Sequence, residues 1–409
     1  MMKVKKIELF HVSIPLPRDF YPSWIPGYPQ SFNRFTLIKL TTDEGLEGYS
    51  AGIAMEEERE GLGSLLGPYL LGQDVNDIDE VNQRLREVSF LGWRNNWIEA
   101  AFWDLIGKKE GKPLYRLLGG GEGGRIPVYC STGEVHEPER RAEEVLAFKE
   151  AGFKSVKLRV HDFELKKDIE QIKTVRERVG DDLDIGVDAN QGWRVAVIGD
   201  APLWDLERAT EFAKACEEYN ISWLEEPLDM YAFDEMAELR KRTSTPIAGG
   251  ELTPGWHEHR TMMEKGSLDI HQPDACFCGV STSVRIMKEA ASRKLKFKPH
   301  TWTNGIGFAI NMQIAAAAPE RLPLEFPYDP PAWIPEYRDG ILTEPFTADK
   351  EGYVTIPERP GLGIEIDKRV LKKYGKKFFE ITPTGLAIKT IRQRGIVKAA
   401  KLAKAKKQG

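Results

Sequence analysis

Several things are scarce or missing in this sequence, and each removes a class of protein. Cysteine is scarce: Cys130, Cys216, Cys276 and Cys278 are four in 409 residues, too few for a disulfide scaffold and in keeping with a reducing compartment. Cys276 and Cys278 are one residue apart with no second pair, which argues against a zinc site. No apolar run is long enough to cross a bilayer. The opening "MMKVKKIELF" lacks an apolar h-region and a cleavage site, so we expect a cytoplasmic protein. Charge of one sign is missing too. A formal −5 over this length gives neither a nucleic-acid footprint nor a membrane-surface patch, so we expect no nucleic-acid or membrane partner. The one basic run, "KAAKLAKAKKQG", reads as a frayed, solvated helix end. No Gly-rich phosphate fingerprint follows a first strand, which argues against a nucleotide-binding sheet.

What is present is a repeating unit. From about residue 126 a short β-rich stretch, a polar turn and an amphipathic helix recur. The strands read "IPVYCS", "SVKLRV", "DIGVDA", "SWLEEP", "PIAGGE", "DIHQPD", "KFKPHTW" and "PLEFPY". In the clearest helix, "ELKKDIEQIKTVRERVG", Leu165, Ile169, Ile172, Val175 and Val179 share a face and Gly180 is placed as the stop. Eight strands alternating with seven helices predict a parallel α/β fold, closed into a barrel. We divide the chain into a capping segment 1–125, a barrel 126–328 and a tail 329–409 that returns to the capping segment. In the first segment, "KVKKIELFHV" and "RFTLIKLTTDEGLEGYS" read as antiparallel strands with a turn at Asp43–Gly45. The tail reads as Pro-rich, then short-stranded at "GYVTIPE", then helical, completing an α+β lobe.

The strand ends carry the chemistry. The second strand has Lys157 and Arg159 on one face, the third ends in Asp188 and Asn190, the fourth in Glu225 and Glu226. Glu251 ends the fifth, Asp274 the sixth, His300 the seventh and Glu325 the eighth. In a barrel these ends meet at one mouth. A single strand-end carboxylate is as readily a helix cap or an ion-pair partner. Carboxylates at Asp188, Glu251 and one of the adjacent pair Glu225 and Glu226 repel one another unless a hard cation sits among them. All-oxygen ligation suits Mg²⁺. The neighbours Glu225 and Glu226 point to opposite sides of their strand, and spacing does not choose between them. Asp274 lies on the strand beside His300 and can hold its imidazole as a general base. His11, His136, His161, His257, His259 and His271 have no such context and read as surface or loop residues.

With these residues placed, the sequence resembles the enolase superfamily, in particular its mandelate racemase subgroup. "GKPLYRLLGG" is similar to the end of the capping domain and "GFKSVKLRV" to the second barrel strand. "DIGVDANQGW", "WLEEPL" and "IAGGE" are similar to the metal-binding strands, "QPDACFCGV" and "KPHTW" to the Asp and His strands. The resemblance implies a modified (β/α)7β TIM-type barrel with an α+β capping domain, and a homo-oligomer. It implies that Glu225 is the ligand beside Asp188 and Glu251, and that Glu325 is a protonated acid hydrogen-bonding the substrate carboxylate. It further implies a Lys or His base acting with Mg²⁺. The chain departs from the pattern once. The second strand usually carries Lys-x-Lys, and here the second lysine is Arg159, a poor base. Racemisation needs bases on both faces of the α-carbon, whereas dehydration of an acid sugar can use His300 alone.

The leading expectation is therefore a Mg²⁺-dependent dehydratase of a sugar acid, with His300, Asp274, Lys157, Arg159 and Glu325 as catalytic residues. The alternative is a racemase or epimerase of a 2-hydroxy acid or related carboxylate. A third reading is a ligand-binding or structural barrel with a vestigial site. The loop-like stretch "RDFYPSWIPGYPQSF" carries Phe20, Tyr21, Trp24, Tyr28 and Phe32 and reads as a lid or an interface. Trp24, Tyr28, Asn190 and Trp302 are the candidate substrate contacts. "RVAVIGDAPLWD" is longer than its turn needs and reads as a border of the site.

Overall fold

Alternating apolar residues near the N-terminus build an antiparallel sheet with two jobs. Strands β1 (Val4–Phe20), β2 (Gln30–Thr42) and β3 (Glu47–Ile53) form a meander. Ile7, Leu9, Ile38 and Leu40 pack on the helices of this lobe, whereas Val12, Ile14, Phe35 and Leu37 pack with Ile286, Ile306 and Ile310 of the second domain. One sheet thus covers the lobe's own core with one set of side chains and clamps the lobe onto its neighbour with the other. The structure, a computed structural model, describes residues 2–54, 59–92 and 94–405.

The second domain contains all eight strands read from the sequence. They are β4 (Arg125–Ser131), β5 (Ser155–Arg159), β6 (Asp184–Asp188), β7 (Trp223–Glu225), β8 (Ile247–Gly249), β9 (Ile270–His271), β10 (Lys296–Phe297) and β11 (Leu324–Pro327). They pair in parallel in the order β11-β4-β5-β6-β7-β8-β9-β10. Each of the seven connections between consecutive strands carries a helix, as expected, and the one from β9 to β10 carries a second, short helix at Ala275–Cys278. In Leu165–Val179 the residues Ile172, Val175 and Val179 are buried and Gly180 follows with φ 78°. Among the described residues no backbone ladder joins β10 to β11. Thr301, beyond the end of β10, spans the gap by donating its N–H to Glu325 Oε2 and its hydroxyl to the Glu325 carbonyl, both at 2.7 Å. Tyr129, Trp223, Ala248 and Ile270 fill the space inside the strands. Gly186 is required there, since a Cβ would lie 2.1 Å from the Trp223 ring.

The tail departs from its reading in two ways. The stretch 352–358 supplies β12 (Tyr353–Thr355), which pairs antiparallel with barrel strand β4 rather than with the N-terminal lobe. The strand that does return to the lobe is β13 (Gly375–Ile381), on the free edge of β1, within a stretch read as helical. Three of the seven residues in "GKKFFEI" are charged and only Ile381 is buried, so it has no clean alternation to mark it. The aromatic loop is also shorter than it reads. β1 runs on to Phe20 through a register break after Pro15, and β2 begins at Gln30, leaving a connection at 21–29. The basic C-terminal run lies in the helix Ile396–Ala405, preceded by Pro383–Arg394, and neither helix buries a residue. Residues 406–409 of that run lie outside the described residues. No helix among the described residues is long and apolar enough to cross a membrane.

Candidate active site

The ends of β5 to β8 bring the acidic residues together. One carboxylate oxygen from each of Asp188, Glu225 and Glu251 lies within 4.8 Å of the others, and all three residues are buried. The chain turns sharply just past two of them: Asn190 has φ 47° and Glu226 φ 45°, in the left-handed region that non-glycine residues rarely occupy. Such strain gathers at functional sites. Glu226 points away from the cluster and packs against Gly192, where a Cβ would lie 2.2 Å from its Oε1. Burial first, and then Glu251 and Asp188, push the Glu226 carboxyl well above the usual range.

Two cations lie against the cluster. Lys157 Nζ is 2.5 Å from Glu225 Oε1, 2.8 Å from Glu325 Oε1 and 3.3 Å from Asp188 Oδ2. Arg159 pairs with Asp188, donates its Nε–H to the Thr132 carbonyl (2.7 Å) and has Trp24 and Trp302 over its guanidinium at 5.1 and 5.3 Å. Even so, burial lifts the Asp188 carboxyl to about 6 against Arg159 and Lys157. Burial together with Asp188 and Glu225 lifts Glu251 to about 7 against His300 and Lys157. Against burial, Lys157 holds Glu225 below its usual range, so the shortage of positive charge falls on Asp188 and Glu251, and such a shortage attracts a further cation.

His300 closes the other side. Its Nδ1–H donates to Asp274 Oδ2 at 2.9 Å, and its Nε2 lies 3.3 Å from Glu251 Oε2 and 3.8 Å from Glu325 Oε2. Burial works against the imidazolium, but Glu251, Glu325 and Asp274 outweigh it and lift the ring to about 10. Asp274 is in turn fixed by Cys276 N–H and the Asn311 amide, each at 2.7 Å from Oδ1. Glu325, which the resemblance implies is a protonated acid, is under opposing influences here. Burial raises it, but Lys157, His300 and Arg159 hold it well below the usual carboxylate range, and Ser131 Oγ and Thr301 N–H donate to it.

A cavity of about 560 Å³ opens above this cluster, and Arg159, Asn190, Glu251 and His300 reach its wall. Trp24, Tyr28 and Trp302 line it as well, with Val195 and Val197 from the long turn after β6. The 21–29 connection is tied to the barrel: Ser23 donates its hydroxyl to Asn190 Oδ1 (2.7 Å) and its N–H to the Gly133 carbonyl (2.9 Å). Arg18, at its start, makes a two-pronged ion pair with Glu134.

Some of these residues escape sequence reasoning. Gln272 and Trp223 both donate to Glu225 Oε2, at 2.8 and 3.1 Å, and orient that carboxylate. Gln272 is two residues before Asp274, and that spacing was its only signal. Lys298 is buried, 3.5 Å from the Trp223 ring centre and 4.5 Å from that of Tyr129, and burial pushes its amine down to about 7. Of the six histidines read as surface or loop residues, only His257 is exposed. His259 and His271 are buried together, Nδ1 to Nδ1 at 3.1 Å, because the helix Trp256–Lys265 turns His259 inward with Met262 and Met263. His11 is buried on β1, His136 bridges Glu134 and Glu144, and His161 is half-buried on the Ala189 carbonyl.

Comparison with known proteins bears on the whole chain. Residues 140–370 match the enolase C-terminal domain-like family, and residues 11–119 the mandelate racemase/muconate lactonizing enzyme N-terminal domain. Arabinonate dehydratase of Saccharolobus solfataricus is 29% identical over 370 residues, covering 86% of this chain and 93% of its own. N-succinyl-L-Arg/Lys racemase of Bacillus cereus is 26% identical over 391 residues, covering 91% and 98%. The crystal structure of L-talarate/galactarate dehydratase from Salmonella typhimurium LT2, liganded with Mg and L-lyxarohydroxamate, is similar with a TM-score of 0.79 at 25% identity, covering 93% of this chain and 95% of that one.

Proposed function

This chain belongs to the mandelate racemase/muconate lactonizing enzyme family of the enolase superfamily, and we propose that it dehydrates a sugar acid to a 2-keto-3-deoxy acid. The observation that carries this reading is the contact of a supported base with a carboxylate cluster: His300 stands between Asp274 at 2.9 Å and Glu251 at 3.3 Å. A proton α to a carboxylate is very weakly acidic, and its removal places a second negative charge on the group. The base must therefore stand where that charge is stabilised.

The donor set fits Mg²⁺. Three buried carboxylates from Asp188, Glu225 and Glu251 offer only oxygen, and their mutual repulsion is relieved by a hard divalent ion. When bound, Mg²⁺ supplies the positive charge that an enediolate needs. The chain supplies the rest. His300 takes the α-proton, and Asp274 steadies the imidazolium. Lys157 keeps its ammonium beside the same oxygens. His300 then gives its proton to the departing β-hydroxyl, which leaves as water. Glu325 orients Lys157 and can donate to a substrate carboxylate only after taking up a proton. Arg159 is committed to Asp188, Thr132 and two indole rings, which supports a hydrogen-bonding rather than a basic role. Trp24, Tyr28, Asn190 and Trp302 are the substrate contacts in this reading.

The alternative, racemisation of a 2-hydroxy acid or related carboxylate, is kept open by the similarity to a racemase and lacks an evident second base. The division at about residues 125 and 328, a homo-oligomeric state and a cytoplasmic site belong to the same proposal. The test is a panel of aldonates and aldarates with Mg²⁺, monitored for a 2-keto-3-deoxy product. Inversion at the α-carbon without water loss contradicts the dehydratase.

A further inference from the structure

Above His300, Glu251 and Arg159 the cavity becomes apolar. Fourteen of its twenty-three described lining residues are apolar or aromatic, among them Tyr28, Trp193, Met230 and Phe277. Some of the polar side chains in the wall are held by the protein itself. Asn33 donates its amide to the carbonyls of Tyr337 and Arg338 at 3.1 and 3.0 Å, and Asn190 Oδ1 accepts from Ser23 and Arg159. A flexible polyol lying here would bury little apolar surface of its own against that wall, and an apolar ring face would bury more. The wall offers ring faces.

We propose that the acid taken by this site carries a ring on the carbons beyond the reacting pair, with an apolar ring face lying against Trp193 and Tyr28. The proposal rests on the dehydration reading above. At the reacting end R–CHOH–CHOH–COO⁻ becomes R–CH₂–CO–COO⁻ and water. The C2 proton goes to His300, the C3–O bond breaks, the hydroxyl leaves with that proton, and the enol shifts its own proton to C3. The ring face can belong to a sugar ring or to an aryl group, and the two need separate probes.

The experiment compares gluconate, its 4-O-galactosyl derivative and 2,3-dihydroxy-3-phenylpropanoate as substrates of the Mg²⁺-loaded protein. We expect kcat/KM for one ring-bearing probe to exceed that for gluconate by roughly tenfold or more, the worth of burying an aromatic-sized face. Which probe wins tells a sugar ring from an aryl ring. Trp193→Ala should lower that ratio, and Trp193→Phe should restore much of it. Preference for gluconate, or a ratio indifferent to Trp193→Ala, overturns the proposal. If no probe loses water, the dehydration reading fails, and the ring is judged by binding alone. Then 3-phenyllactate should bind the Mg²⁺-loaded protein at least roughly tenfold more tightly than lactate, and equal affinities overturn the proposal.

Discussion

His300 Nε2 lies 3.3 Å from Glu251 Oε2, so the base and one of the clustered carboxylates share charge directly. Each sets the other's proton affinity: Glu251 heads the interactions that lift His300 to about 10, and His300 heads those that restrain Glu251. An imidazole at about 10 is protonated at neutral pH and cannot act as a base.

Binding Mg²⁺ should therefore free the base. A divalent ion at Asp188, Glu225 and Glu251 takes up the charge that holds the proton on His300, and the imidazole should titrate at lower pH. NMR titration of the His300 ring with and without Mg²⁺ checks this. A midpoint that does not move contradicts the linkage.

Stability should respond to the same ion. Asp188 and Glu251 sit at about 6 and 7 in the folded protein, above ordinary values of 3.8 and 4.5. A raised folded-state pKa contributes stability that is complete below the unfolded value and is lost as pH rises through the folded one. Without Mg²⁺ the contribution of these two groups should thus fall between about pH 4 and pH 7. Bound Mg²⁺ favours the charged forms, so the rise in Tm on adding it should grow across that window. Thermal unfolding at pH 5, 6 and 7.5, with Mg²⁺ and with EDTA, measures this, and a pH-independent Mg²⁺ effect would count against the site.

Ligand assignment separates two adjacent glutamates. Glu251→Gln should weaken Mg²⁺ binding by more than the roughly 10–100-fold that losing an outer-shell partner costs. Glu226→Gln changes a side chain that points away from the cluster and should be much milder. Calorimetric titration of both variants decides, and unchanged affinity in Glu251→Gln would remove it from the ligand set.

Much of this was legible in the sequence. Runs such as "DIGVDA" and "SVKLRV" place β-branched residues in strands buried on both faces and end them on polar groups, so strand order and acidic cluster could be read together. What was not legible depends on contacts distant in sequence. The downward pull on the Glu325 carboxyl comes first from Lys157 and then from His300, brought to it only by the barrel. β13 is marked by pairing with β1 rather than by its own pattern. The cavity wall combines the 21–29 connection with turns after β6, β8 and β10, and no single stretch announces it.

Arg159 is the chain's departure from the family pattern, and Arg159→Lys tests what it does. A lysine supplies an amine that can lose its proton, on the face opposite His300 in the family arrangement. We expect the variant to gain slow inversion at the α-carbon, with weaker dehydration because the Thr132 and indole contacts are lost. Chiral analysis of substrate recovered part-way measures it. Inversion already present in the unsubstituted protein would make Arg159 a participant in proton transfer.

The most direct test of the central claim is turnover in D₂O, comparing the unsubstituted protein with His300→Asn and Asp274→Asn on a substrate identified by the panel. With His300 as the single base, the unsubstituted protein yields keto acid, and recovered substrate shows α-deuterium without inversion. His300→Asn loses both exchange and water elimination, and Asp274→Asn falls by roughly 10²–10⁴-fold, the usual worth of a positioned base. Full activity in His300→Asn, or inverted substrate with no keto acid from the unsubstituted protein, would contradict the account.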